Sequence, residues 1–255
     1  MSTRVQHYQV DRLQVAVYED RQTMGSQAGQ QAADHVRQLL KTRQEVRIIF
    51  AAAPSQNAFL AAMCAAEDLD WSRVTAFHMD EYTGLAADAP QRFSAYLMQH
   101  LFQQVKPGKV HLIPCSGESE EICAHYVSLI RQAPIDMVCL GIGENGHLAF
   151  NDPPVADFAD PQQMKRVELD DICRQQQVND GCFPSLEAVP RYALTLTIPT
   201  LMAAHRLFCM VPGRNKRRAV RETLQGPISP ACPATVLRCH PACTLYLDRD
   251  SGEGI

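Results

Sequence analysis

The stretch "CLGIGENGHLAFNDPP", Cys139–Pro154, decides how this chain is read. It begins inside the apolar, β-branched run "IDMVCLGI", passes Gly141, Gly143 and Gly146, and crowds Asn145, His147 and Asp152 into a few residues. The run reads as a buried strand, and the glycines as a sharp turn that allows close approach to a ligand. A histidine beside a carboxylate can shuttle protons. A plain polar turn and a ligand site at a strand end both fit this window taken alone.

Working outward, similar runs recur at "LQVAVY", "VRIIFAA", "VTAFHM", "KVHLI", "RLFCMV" and "TLYL". They alternate with amphipathic stretches, which predicts strands and crossover helices building a parallel sheet. Helices are expected over Gln22–Lys41, over Ser55–Glu67 with Ser55 as its cap, and over Phe93–Phe102, Glu118–Arg131 and Asn215–Leu224. No repeat or Gly/Ser linker divides the chain, so residues 1–255 are read as a single domain. Residues 152–190, rich in proline and acidic groups, break the alternation and are read as a lid or an ordinary surface insertion.

At 255 residues and 46% hydrophobic content the chain can bury a core. A net charge of -4 excludes general attraction to nucleic acid or an acidic membrane surface, so any anion must be held locally. The N-terminal "MSTRVQHYQVDRLQ" lacks the apolar stretch of an export signal, and no apolar run has the length of a bilayer span. A soluble, cytoplasmic protein is expected, with its ten cysteines reduced. Cys232, Cys239, His240 and Cys243 offer one close Cys/His pairing where a structural zinc site shows two, so no metal is assigned to them.

Four strand ends carry candidate chemistry. After "VRIIFAA", the backbone N–H groups around Ala52, Ala53 and Ser55 can face an anion, although core packing explains small residues there nearly as well. In "FHMDEYTGL", Asp80 and Glu81 can divide labour, one facing the cleft as general base and the other held by structure. The stretch around His147 is the third. The fourth is "MVPGRNKRRAV", where Arg214 and Lys216 oppose a helix dipole unless an anion shares the site; Lys216 is the phosphate ligand assigned from it.

"FHMDEYTGL", "LGIGENGHLAFNDP", "VPRYALTLTIPTL" and "PGRNKRRAV" resemble, in order and spacing, the glucosamine-6-phosphate deaminase family, related more distantly to the 6-phosphogluconolactonases. The resemblance implies a three-layer α/β/α sandwich with a mostly parallel, Rossmann-like sheet. It implies that Asp80 moves the C2 proton to C1, that His147 opens the pyranose ring with Asn145 and Asp152, and that Lys216 holds the 6-phosphate with the backbone of Ala52, Ala53 and Ser55. Glu81 and, within the lid, Arg174 are counted with the substrate- and phosphate-binding residues. Products would be a ketohexose 6-phosphate and ammonia. No metal or cofactor is implied, because a carboxylate, an imidazole and water suffice for the proton transfers. The expected partners are a small sugar phosphate and further copies of the chain.

The chain departs from the family pattern in carrying Ala52, Ala53 and Pro54 where Gly-Gly-Thr is usual, and Asp152 in place of glutamate. Asn145 is Asp in some members. These changes point to a divergent branch, with glucosamine 6-phosphate or a relative such as galactosamine 6-phosphate as substrate. No allosteric site is recognisable in "PPVADFADP". A lactonase of the same fold, and a sugar-phosphate sensor without turnover, are the alternative functions.

Overall fold

Strands whose residues are apolar at successive positions must be covered on both faces, and the structure, a computed structural model describing residues 5–255, shows how. Residues 1–4, where the stretch read for an export signal begins, lie outside the described residues. In chain order the strands are β1 (Gln6–Val10), β2 (Leu13–Tyr18), β3 (Val46–Phe50), β4 (Val74–His78), β5 (Asp80–Tyr82), β6 (Lys109–His111), β7 (Met137–Leu140), β8 (Met164–Glu168), β9 (Tyr192–Leu196), β10 (Arg206–Val211) and β11 (Cys243–Asp248). The helices are α1 (Arg21–Leu40), α2 (Asn57–Cys64), α3 (Phe93–Leu97), α4 (Gln103–Val105), α5 (Ser119–Ile130), α6 (Asp171–Asn179), α7 (Ile198–Met202) and α8 (Arg217–Gln225), with a π turn at Met98–Phe102 joining α3 to α4.

The main sheet has eight strands in the order β1-β2-β11-β10-β7-β3-β4-β6. Every pairing in it is parallel except the hairpin of β1 with β2. Side chains alternate across the strands as the pleat requires. Ile48 and Phe50 of β3, Met137 and Cys139 of β7, and Phe208 of β10 pack on one face with Met24, Ala28 and Val36 of α1 and Phe59 and Met63 of α2. Ile49, Val138, Leu140, Leu207 and Cys209 face the other way, against Tyr126 and Ile130 of α5 and Val220 and Leu224 of α8. The result is the three-layer α/β/α sandwich that the resemblance implied.

Chain order gives the sheet its cleft. From β3 the chain moves outward through β4 to β6, then returns to lay β7 on the opposite side of β3 and continues to β10 and β11. The loops after β3 and β7 therefore diverge to opposite faces, leaving a crevice at the carboxyl edge, the usual ligand position in an open α/β sheet.

The sequence reading did not anticipate the second sheet, with three antiparallel strands in the order β5-β9-β8. The chain passes from β4 into β5 through Met79, whose carbonyl accepts the Leu196 N–H at 2.8 Å. Residues 152–190, read as irregular, contain β8 and α6. Ser55 is not the helix cap expected: Pro54–Gln56 form a 3₁₀ turn ahead of α2, and the Ser55 hydroxyl accepts from the Gln56 amide at 3.2 Å. Cys232, Cys239, His240 and Cys243 share no centre. Nε2 of His240 meets the Ala204 carbonyl at 2.9 Å, its Nδ1 accepts the Ala242 N–H at 3.1 Å, and Cys239 is exposed.

Candidate active site

The crevice between β3 and β7 has backbone walls: Ala51, Ala52, Ala53 and Ser55 on one side, Gly141, Ile142 and Gly143 on the other. Small residues are required there because the walls are close. A Cβ on Gly141 would meet the Gln56 amide nitrogen at 3.1 Å and the Met210 carbonyl at 3.2 Å. Asp80, His147 and Lys216 line the same cleft, each from a different strand end.

Asp80 opens β5 and lies opposite Thr195 of β9. Burial pushes its carboxyl well above the usual carboxylate range, and the charges of Glu81 and Asp152 push the same way. A carboxyl raised in this way is better suited than an ordinary one to accept a proton and then return it. The same Thr195 holds the far wall, because its hydroxyl accepts the Phe150 N–H at 3.1 Å. One residue later on β9, the Leu196 carbonyl accepts from the Asn151 amide at 2.9 Å. One strand thus fixes the base and the loop carrying His147.

His147 is held by acceptors on one edge. Its Nδ1 lies 2.8 Å from Asn145 Oδ1 and 2.9 Å from Asp152 Oδ1. The Asn145 amide donates to Asp152 at 3.0 Å and Asp170 at 3.3 Å, which orients its oxygen toward the imidazole. Two acceptors at Nδ1 place the hydrogen there and leave the Nε2 lone pair free. Burial alone would raise the Asp152 carboxyl, but the charge that His147 carries when protonated and the hydrogen bonds from His147, Asn145 and the Asp170 N–H outweigh it and hold it below the usual range. Ala149, between these two side chains, has φ of +50°, a conformation sparsely populated by residues other than glycine.

Lys216 closes the site from the end of β10. Gly213, at φ +98°, turns the chain there and donates its N–H to both Asp248 oxygens at 3.0 Å. Lys216 is 7% exposed, and burial pulls its pKa below the ordinary lysine value, opposed by the charges of Asp180 and Glu144. An arriving anion would relieve that cost.

Two assigned binding residues lie elsewhere. Glu81 is fully buried, and its carboxylate accepts from the N–H groups of Tyr82, Phe93 and Ser94 at 3.0–3.1 Å and from the Ser94 hydroxyl at 2.7 Å. It satisfies the start of α3 and does not line the cleft. Arg174 faces a separate hollow beside Leu85 and Val189, paired with Asp171 at 2.9 Å and donating to the Leu186 carbonyl at 2.7 Å. α6 instead presents Gln176 and Gln177 to the cleft. The Gln176 side-chain Oε1 accepts the Glu144 N–H at 2.8 Å, tying α6 to the glycine turn.

The sequence reading also missed Gln56, whose buried amide donates to the Met210 carbonyl at 3.2 Å and links the loop after β3 to β10. The spacing of Cys173, Gln176 and Gln177 at i, i+3 and i+4 was the available signal for the α6 residues. Cys173, on that face, lies with His147 and Asp152 so that one ligand atom from each falls within 4.8 Å of the others. These are the described residues with a donor set suited to a metal.

The family model for glucosamine-6-phosphate isomerases/6-phosphogluconolactonase matches residues 19–245. A glucosamine-6-phosphate deaminase of Halothermothrix orenii is 35% identical over 199 residues, covering 76% of this chain and 80% of that protein. One of Listeria innocua is 35% identical over 215 residues, covering 83% and 89%. Among solved structures, a monomeric glucosamine-6-phosphate deaminase superposes with a TM-score of 0.85 at 27% identity, covering 93% of this chain and 98% of that one. A 6-phosphogluconolactonase of Shewanella baltica reaches 0.75 at 14% identity, covering 94% and 97%, a likeness of fold. By the family match and its relatives, this chain belongs to the glucosamine-6-phosphate isomerase/6-phosphogluconolactonase family.

Proposed function

We propose that this chain is an amino-sugar-phosphate deaminase, converting glucosamine 6-phosphate or a close relative such as galactosamine 6-phosphate to a ketohexose 6-phosphate and ammonia. The observation that carries this reading is the convergence of Asp80, His147 and Lys216, from three strand ends, on one cleft. The names of the relatives support the same chemistry.

Lys216 holds the 6-phosphate, with the backbone of Ala52 and Ala53 and the Ser55 hydroxyl beside it. His147, its Nδ1 hydrogen fixed by Asn145 and Asp152, takes the C1 hydroxyl proton at Nε2 and passes it to the ring oxygen as the ring opens. Asp80 then removes the C2 proton and returns it to C1, while one proton of the amino group moves to O1, giving a C1 hydroxyl and an imine at C2. Water adds there and ammonia leaves. A phosphate anchored at one end sets the register of both carbons against one carboxylate, so one group serves as base and acid.

The whole chain acts as one domain, with residues 152–190 as its lid and Gln176 as the contact between lid and glycine turn. A cytoplasmic location, read from the N-terminal sequence and the lack of a bilayer-length apolar run, and a homo-oligomeric state, which rests on the family resemblance, belong to the same reading; gel filtration tests the second. No helix among the described residues is long and apolar enough to cross a membrane.

The test is ammonia release from glucosamine 6-phosphate and galactosamine 6-phosphate side by side, with Asp80→Asn as control. Release that depends on Asp80 is expected and identifies the sugar. Hydrolysis of a sugar-phosphate lactone without ammonia from either amino sugar would replace this reading with the lactonase one.

A further inference from the structure

The proton transfers proposed above make no use of the thiol of Cys173. It projects from α6, is 1% exposed, and lies beside Asp152 and His147. Asp152 in turn meets Nδ1 of His147 at 2.9 Å. One imidazole nitrogen, one carboxylate oxygen and one sulfur therefore come from three separated points of the chain to within 4.8 Å of one another.

We propose that His147 Nδ1, Asp152 and Cys173 form a site for a zinc-class divalent cation, and that filling it shuts the cleft down. Nitrogen, oxygen and sulfur donors together suit zinc, which takes them at about 2.0–2.3 Å in a tetrahedron. A modest inward movement of the three completes three corners, and the fourth is left for water or substrate. Two of the donors, Asp152 and the His147 ring, are already held by Asn145 and Asp170, so the cation meets a partly ordered set.

The proton balance explains the inhibition. The metal takes the lone pair at Nδ1, and the hydrogen carried there moves to Nε2, so the ring stays neutral but has no base left at its other nitrogen. Cys173 binds as thiolate and its proton leaves to solvent. No oxidant or reductant is involved. The inhibitory half rests on the role proposed for His147, whereas binding does not.

The experiment titrates chelator-treated full-length protein with Zn²⁺ alone against a chromogenic chelator, for the wild type, Cys173→Ser and, as control, Cys239→Ser, which removes an exposed thiol. Binding that Cys239→Ser retains and Cys173→Ser weakens by at least about tenfold is expected. Co²⁺ in place of Zn²⁺ is expected to show a thiolate-to-metal charge-transfer band in the wild type that Cys173→Ser lacks. Cys173→Ala provides the same contrast should serine disturb the helix. Zn²⁺ should stop ammonia release by the wild type, reversibly with chelator, and leave Cys173→Ser active. Equal Zn²⁺ affinity in wild type and Cys173→Ser, or a Co²⁺ complex without the band, overturns the site. The band together with no turnover of any amino sugar overturns the deaminase reading and leaves the site standing.

Discussion

Gly143 and the imidazole of His147 share one volume: a methyl carbon on Gly143 would lie 2.1 Å from the ring. The glycine is needed for what it lacks, since the ring rests on its bare backbone. Gly143→Ala must displace the imidazole from Asn145 and Asp152. A shift of about 1 Å costs on the order of 10²-fold in rate. We expect kcat/KM for ammonia release to drop by that much while the far-UV circular dichroism stays unchanged; a variant within twofold of wild type would refute the placement of His147.

Asp80→Asn is expected to lower kcat by roughly 10²–10⁴-fold, the usual contribution of a positioned acid-base group. Its effect on stability has the opposite sign. The folded protein holds the Asp80 proton more tightly than the unfolded chain, because burial and the charges of Glu81 and Asp152 raise its pKa. That stabilisation is complete below the ordinary carboxylate pKa and is lost as pH rises through the raised folded value. Asparagine is spared the loss, so the Tm of the variant should gain on that of the wild type between pH 4 and pH 8. A pH-independent difference would argue against a perturbed carboxyl.

Glu81→Gln should act on the fold and spare substrate binding. The carboxylate accepts four hydrogen bonds, three from the start of α3 and one from the Tyr82 N–H, and an amide cannot accept all four with both of its atoms. A loss of about 1.5–3 kcal/mol in chemical denaturation is expected, the range for hydrogen bonds to a charged group. A raised KM with unchanged stability would return Glu81 to the substrate-binding set.

Lys216→Met removes the cleft's cation and nearly keeps its volume. kcat/KM should drop by about 2–4 kcal/mol, roughly 30–1,000-fold, as when one member of a buried charge pair is lost. The Tm should hold or rise, because a buried charge is replaced by an apolar group. Unchanged kinetics would place the phosphate elsewhere.

The main sheet was legible because β3, β7 and β10 are buried on both faces and so read as mostly apolar runs, broken by Arg47 in β3 and opened by Arg206 in β10. β8 and β9 were not read as strands: "MKRVE" is half polar, and "YALTL" lies in a stretch broken by prolines. β5 is three residues long and exists only through pairing with β9, a long-range contact without a local signal. Asp80, His147 and Lys216 were readable as strand-end groups. Arg174 was not, because its guanidinium is held by Asp171 and the Leu186 carbonyl, long-range and local partners that turn it into a separate hollow and that no sequence pattern announces. Glu81 was misassigned for a related reason: in an extended strand its side chain points opposite to that of Asp80.

The strand order also imposes a schedule on synthesis. Apart from its hairpin with β1, β2 pairs among the described residues only with β11, so Leu13–Tyr18 emerge early and wait for Cys243–Asp248. Lys216 comes late as well, after both carboxylates, Asp80 and Asp152, have been made. On the ribosome, the acidic half of the cleft precedes its counter-charge, and a hairpin with an unpaired edge is open to wrong partners until the last strand slots beside it. A stalled or shortened chain therefore loses the seam between its two ends, the β2–β11 pairing that joins the first strands of the chain to the rest of the sheet.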